Sequence, residues 1–113
     1  MTDLILAIVL GLIALLPASI SGTATWYATG PGAGHAAAGP ALRTGDWRGR
    51  HVTVCATRCV PVVLDDFCQC YGTRVIDLAT SDFARLAPLS QGIVTVTVSV
   101  GGLPVAPPTD VAP

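Results

Sequence analysis

From Ile93 to Val100 the chain alternates strictly, with Val94, Val96, Val98 and Val100 on one side and Thr95, Thr97 and Ser99 on the other. A period of two predicts a strand with one apolar face. Weaker alternation runs through GTATWYATG (Gly22–Gly30), Arg50–Cys55 and Cys59–Leu64, and the apolar run Val75–Leu78 reads as a short buried strand. VTVCATRCVPVV predicts a hairpin with Ala56, Thr57 and Arg58 at its tip. Gly and Pro punctuate GPGAGHAAAGPALRTGDWRG throughout, so this stretch reads as loop, as does Asp66–Arg74. Ser81 is placed to cap a short helix, SDFARLA, with Phe83 and Leu86 on one face and Pro88 ending it. Short strands, one short helix and Gly-rich turns predict a small, mostly-β barrel. No internal repeat is visible.

The ends of the chain read differently. Leu4–Leu16 is an unbroken apolar run of thirteen, followed by Pro17 and the small residues Ala18, Ser19, Ser21 and Gly22. That length suits a signal-peptide core, since a membrane span needs about twenty residues. However, no Lys or Arg precedes the run, Asp3 does, and counting Pro17–Ile20 brings it close to spanning length. A cleaved signal ending near Ser21 and a retained anchor therefore both stand, and both place the rest of the chain in the cell envelope or outside the cell. GGLPVAPPTDVAP is a Pro-rich tail. The expected organisation is a leader over 1–21, a barrel domain over 22–100 and a tail over 101–113. A formal charge of −1 offers no basic surplus for nucleic acid.

Four cysteines fall within about ninety residues after the leader, Cys55, Cys59, Cys68 and Cys70. A domain that small gains from cross-links in an oxidising compartment. As zinc ligands their C-x3-C and C-x-C spacing is poor, so disulfides are expected and no metal. The hairpin sets Cys55 across from Cys59; Cys68 and Cys70 are then left to each other or free.

Candidate chemistry centres on VVLDDFCQCYGTRVIDLA. Asp66 and Asp77 stand eleven positions apart, each beside an apolar, β-branched run. Two carboxyls brought into one cleft are the minimum for acid catalysis on a glycosidic bond, whereas Asp at strand ends also caps turns. Asp77 lies in an apolar setting that suits a proton donor. Asp65 should point away from Asp66 into solvent. Trp26, Tyr27 and Tyr71 can stack on sugar faces or fill a small core. Trp47, in the polar stretch TGDWRGR, is the candidate for an exposed platform, and Arg74 can pair with a carboxylate.

These segments resemble a known family. GTATWYATG is similar to the opening strand of rare lipoprotein A-like domains, Gly-x-Ala-Ser-Trp-Tyr-Gly. VVLDDFCQCYGTRVIDLA resembles their Asp-Arg-Gly-Pro followed by Gly-Arg-Val-Ile-Asp-Leu-Ser, with the interval between the aspartates kept. LDDFC is similar to the Thr-Asp-Phe-Cys-Pro segment of expansins, VIDLATSDFARLA to their His-Phe-Asp-Leu-Ser and following helix, and GIVTVTVSV to their closing strand. The likeness spans Gly22–Val100. It implies a six-stranded double-psi β-barrel, with Asp77 at the general acid of related endoglucanases, Asp66 at the other family aspartate, and Trp26 and Tyr27 at the aromatic pair. Departures accompany it. Val75 replaces the expansin His, Phe67-Cys68-Gln69 replaces Arg-Gly-Pro, and the Glu and Ala-Ala-His of rare lipoprotein A are missing from AAAGPALRTGDW, with His35 a few positions too early.

Three functions follow from this resemblance: a peptidoglycan lytic transglycosylase, a non-lytic wall-binding or wall-loosening module, and a barwin-type structural or inhibitory domain. The first two share a wall polysaccharide as ligand, peptidoglycan or a cellulose-like glycan. The expected form is a monomer without cofactor, meeting a membrane only if the leader is retained.

Overall fold

The computed structural model describes residues 19–30 and 32–100; the expectations for the apolar core of the leader and for the tail lie outside these residues. In chain order the elements are β1 (Ser19–Tyr27), β2 (His35–Ala38), β3 (Arg50–Cys55), β4 (Cys59–Phe67), β5 (Arg74–Ala79), α1 (Thr80–Ala84) and β6 (Val94–Val100), with 3-10 turns at Pro40–Leu42 and Leu89–Gln91. The six strands close into a barrel in the order β1-β5-β2-β4-β3-β6. β1 runs parallel to β5 and β2 parallel to β4, while the other neighbours are antiparallel. This is the double-psi β-barrel that the resemblance implies.

The strict alternation of β6 reappears as burial. Val96 and Val98 are 2% and 0% exposed and join Val52, Val54, Val60, Val62, Leu64, Ile76, Leu78 and Phe83 inside the barrel. β-Branched residues dominate because their stiff side chains pack well on a pleated surface. At the hairpin, Cys55 pairs with Cys59 across β3 and β4 and the two are bonded. Cys68 and Cys70 are also bonded to each other, and no cysteine is free.

Three local readings are corrected. His35–Ala38, read as loop, is a strand, and it is the one that closes the barrel between β4 and β5. HAAA shows no alternation because Ala36, Ala37 and Ala38 are all buried, at 0%, 2% and 0%. The loop expected from Asp66 begins later, since β4 continues through Phe67. Ser81 lies inside α1 rather than capping it. The N-cap is Ala79, the last residue of β5, and no side chain caps the turn because the strand passes directly into the helix. Phe83 anchors that helix, fully buried at the barrel end. β1 also begins at Ser19, and Ser19–Ser21 pair with Ser99–Thr97.

The antiparallel pairing of β2 with β5 carries on one residue past Ala38, at close quarters. Gly39 N–H donates to Val75 O at 2.8 Å, and a Cβ on Gly39 would lie 2.8 Å from that same oxygen and 3.2 Å from Cys70 Cβ. A side chain there must push backbone apart. Gly39→Ala is therefore expected to lower stability by about 1–3 kcal/mol, the usual cost of overpacking, read as a fall in the thermal midpoint by circular dichroism.

Candidate functional site

Four residues line up across four neighbouring strands. In register, Thr25 of β1 pairs with Asp77 of β5, Asp77 with Ala37 of β2, and Ala37 with Asp66 of β4. Laterally paired residues share a face of the sheet. Their strand neighbours Ala24, Ile76, Leu78, Ala36 and Leu64 are fully buried in the barrel, so this row looks outward. With strands about 4.8 Å apart, the Cα atoms of Asp66 and Asp77 lie about 10 Å from each other. Ala37 between them carries only a methyl group and is 2% exposed, because Tyr27 and the Cys68–Cys70 disulfide pack over it.

The sequence's alternation places Asp65 and Asp66 on opposite faces, and the structure differs. Ala36 pairs with Leu64 but Ala37 pairs with Asp66, so the register slips between them and Asp65 has no partner in the ladder. A bulge of this kind re-aims side chains. Asp65 turns to the outer face beside Asp66. Instead of standing free in solvent it meets His35, its Oδ2 against the imidazole Nδ1, while its Oδ1 is buried without a hydrogen-bond partner among the described residues.

Each carboxylate has its own setting. Thr25 Oγ1 donates to Asp77 Oδ1 at 2.8 Å, and Arg74 Nη2 donates to Thr25 Oγ1 at 3.2 Å. Arg74 therefore reaches Asp77 through a hydroxyl. Asp66 Oδ1 accepts the Phe67 N–H at 2.8 Å, so Asp66 does hold its own turn as Asp commonly does. Tyr27 packs against Ala37 and the Cys68–Cys70 disulfide, with its ring so close to Gly30 that a Cβ there would fall 2.1 Å from it. Its hydroxyl is buried without a hydrogen-bond partner among the described residues. Burial, and then the carboxylates of Asp66, Asp77 and Asp65, push the Tyr27 phenol from 10.0 up to about 12. All three acids thus act on one ring.

The other aromatic candidates divide. Trp26, one residue from Tyr27, faces the other way: it packs on the barrel core and its indole Nε1 donates to Leu89 O at 3.0 Å. Trp47 is half-buried against the core, and the Arg48 guanidinium lies 4.5 Å from its ring centre, so it is not the exposed platform expected. Tyr71 is 73% exposed on the loop after β4. Phe67, not singled out in the sequence, is 54% exposed next to Asp66, with the Arg43 guanidinium 5.7 Å from its ring centre. Arg43 also donates to Ala38 O and Cys68 O, tying this wall to the end of β2. Thr25, Ala37 and His35 were missed as well. Only the register reveals them, and no sequence signal marks a bulge at Asp65.

The raised Tyr27 phenol gives a pH dependence. Below pH 10 the phenol is neutral in both the folded and the unfolded chain. Between the ordinary value of 10.0 and about 12 the unfolded chain sheds this proton first, so the contribution is lost as pH rises through that window. In a spectrophotometric titration, the tyrosinate step that Tyr27→Phe removes should lie near pH 12 in the wild type, and Asp66→Asn should move it downward.

Comparison with known proteins places this geometry. No curated protein sequence matches the chain. Among solved structures, an apo expansin from Clavibacter michiganensis is similar, with a TM-score of 0.63 and 21% identity over 79% of this chain and 53% of that one. An aspartate-to-asparagine variant of that expansin in complex with cellohexaose gives 0.64 and 20% over the same shares, 79% and 53%. This chain thus spans about half the length of the expansins, and at this identity the likeness establishes the fold. A Streptomyces papain inhibitor is similar at a TM-score of 0.59 and 27% identity, over 73% of this chain and 93% of that one. The sequence profile described as lytic transglycolase matches residues 19–98, the whole barrel from β1 into β6, and the chain belongs to that family of double-psi β-barrel domains.

Proposed function

We propose that this domain works in the cell envelope or outside the cell, where it binds a wall glycan across the Thr25–Asp77–Ala37–Asp66 row and cleaves it as a lytic transglycosylase. The observation that carries the reading is that row: two carboxyls on one outer face, two strands apart, with the Tyr27 ring packed on the alanine between them. Asp77 is the proton donor. Its Oδ1 is occupied by the Thr25 hydroxyl, which leaves Oδ2 to carry the proton to the glycosidic oxygen. Asp66 and the Tyr27 ring bound the groove, and exposed Phe67 and Tyr71 offer faces on which sugar rings stack. Family membership and the cellohexaose complex of the similar expansin support glycan as the ligand. Two disulfides fit an oxidising compartment.

Soluble products released from purified peptidoglycan, measured beside a pull-down on the same material, test this. Asp77→Asn should reduce release by about 10²–10⁴-fold, the worth of one acid catalyst, because an amide cannot deliver the proton. Binding should be nearly unchanged, since Asn can still accept from Thr25. Asp66→Asn should cost less than Asp77→Asn. Retained binding with no release by the wild type leaves the non-lytic wall-binding module in its place.

A protease-inhibitor module is the second reading. It is favoured by the match to 93% of the Streptomyces papain inhibitor, a coverage the expansins do not approach. If it holds, the purified domain slows papain at stoichiometric concentration and shows neither binding to nor release from wall glycan.

A further inference from the structure

The lytic reading supplies an acid but leaves the attacking hydroxyl without a base. We infer that His35, held by Asp65, is that base, an inference that rests on the lytic reading above.

The placement follows from β2. His35 opens the strand and pairs with Val63, and the next residue, Ala36, is fully buried in the barrel. His35 therefore stands on the same outer face as Ala37, two residues and about 6.6 Å along the strand. Ala37 is the residue between Asp66 and Asp77. The imidazole thus sits one outward step from the row that holds the acid.

Its orientation follows from the bulge. With Asp65 outside the ladder, its carboxyl reaches the imidazole Nδ1 through Oδ2. A carboxylate there fixes the tautomer with the proton on Nδ1, which leaves the Nε2 lone pair free to accept one, and it stabilises the imidazolium that forms. The His35 side chain is 44% exposed and that of Asp65 30%, so the imidazole is open to a ligand while its partner is more enclosed. Asp65 is tied down further by Arg48 Nη1, which donates to its carbonyl at 2.7 Å.

The reaction balances with these two groups. The sugar C6 O–H bond breaks and its proton passes to His35 Nε2. The oxygen bonds to C1 as the bond from C1 to the bridging oxygen breaks, and that oxygen takes the proton from Asp77 Oδ2. His35 then loses a proton to solvent and Asp77 regains one. No water or redox partner is consumed. Asp65 touches no substrate and is a positioning residue.

The test uses the full chain and purified peptidoglycan. His35→Ala should lower kcat by about 10²–10⁴-fold with KM changed little, and added imidazole should restore part of the rate. His35→Asn guards against a folding defect, since its amide nitrogen takes the place of Nδ1 and still hydrogen-bonds Asp65; it should melt like the wild type yet be as slow as His35→Ala. Asp65→Asn should lower kcat and abolish the downfield Nδ1 proton resonance of His35 in the wild-type proton NMR spectrum. Turnover in the wild type with His35→Asn within threefold of it overturns the base and leaves the lytic reading standing. Absence of turnover in the wild type overturns both.

Discussion

Three consecutive buried alanines hold this molecule together. Ala36, Ala37 and Ala38 form the strand that β4 and β5 share, and without it the barrel has two open edges. Unpaired strand edges expose backbone groups that must be satisfied elsewhere, so closure depends on a segment narrow enough to fit. Ala36 and Ala38 face a barrel already filled by valines and leucines, where a larger side chain would overpack. Ala37 faces outward and is buried too, under Tyr27 and the Cys68–Cys70 disulfide. The same methyl that closes the wall seats the Tyr27 ring near Asp66 and Asp77. Stability and site geometry therefore meet in one residue.

The bulge at Asp65 is the second constraint, and it acts on charge. A regular β4 would send one of Asp65 and Asp66 inward, where an unpaired carboxylate is costly among Leu64, Ile76 and Leu78. Slipping the register by one residue lets both remain outside and lets Leu64 keep its place in the core. The result is three carboxylates near one phenol, with Arg74 reaching the cluster through Thr25 and His35 meeting Asp65.

The loop after β4 is kept in place by short-range devices. Cys68 and Cys70 are bonded across a single residue, Cys68 N–H donates to Ala38 O, and Arg43 bridges Ala38 O and Cys68 O. Together they hold the chain between Phe67 and Tyr71, whose rings are both exposed. An aromatic kept in the open on an anchored loop meets a ligand with little ordering cost.

Much of the barrel was legible in the amino-acid order. The valine alternation of β6, the Cys55–Cys59 hairpin and the apolar β5 run each carry their periodicity locally, because one face or both must be buried. The interval between Asp66 and Asp77, and the aromatic pair at Trp26 and Tyr27, were visible through family likeness. What the sequence could not carry was anything decided by partners far along the chain. His35–Ala38 looks like loop until β4 and β5 stand on either side of it, since Gly, Pro and Ala express no periodicity of their own. Ser81 looks like a cap until β5 runs straight into α1. Trp47 looks exposed until the core and Arg48 cover it. Asp65 looks solvated until a register slip, set by long-range pairing between β2 and β4, turns it toward His35. Periodicity is a local property and determined the strands; register is a non-local one, and only the closed barrel decided which side chains share the outer face with Asp77.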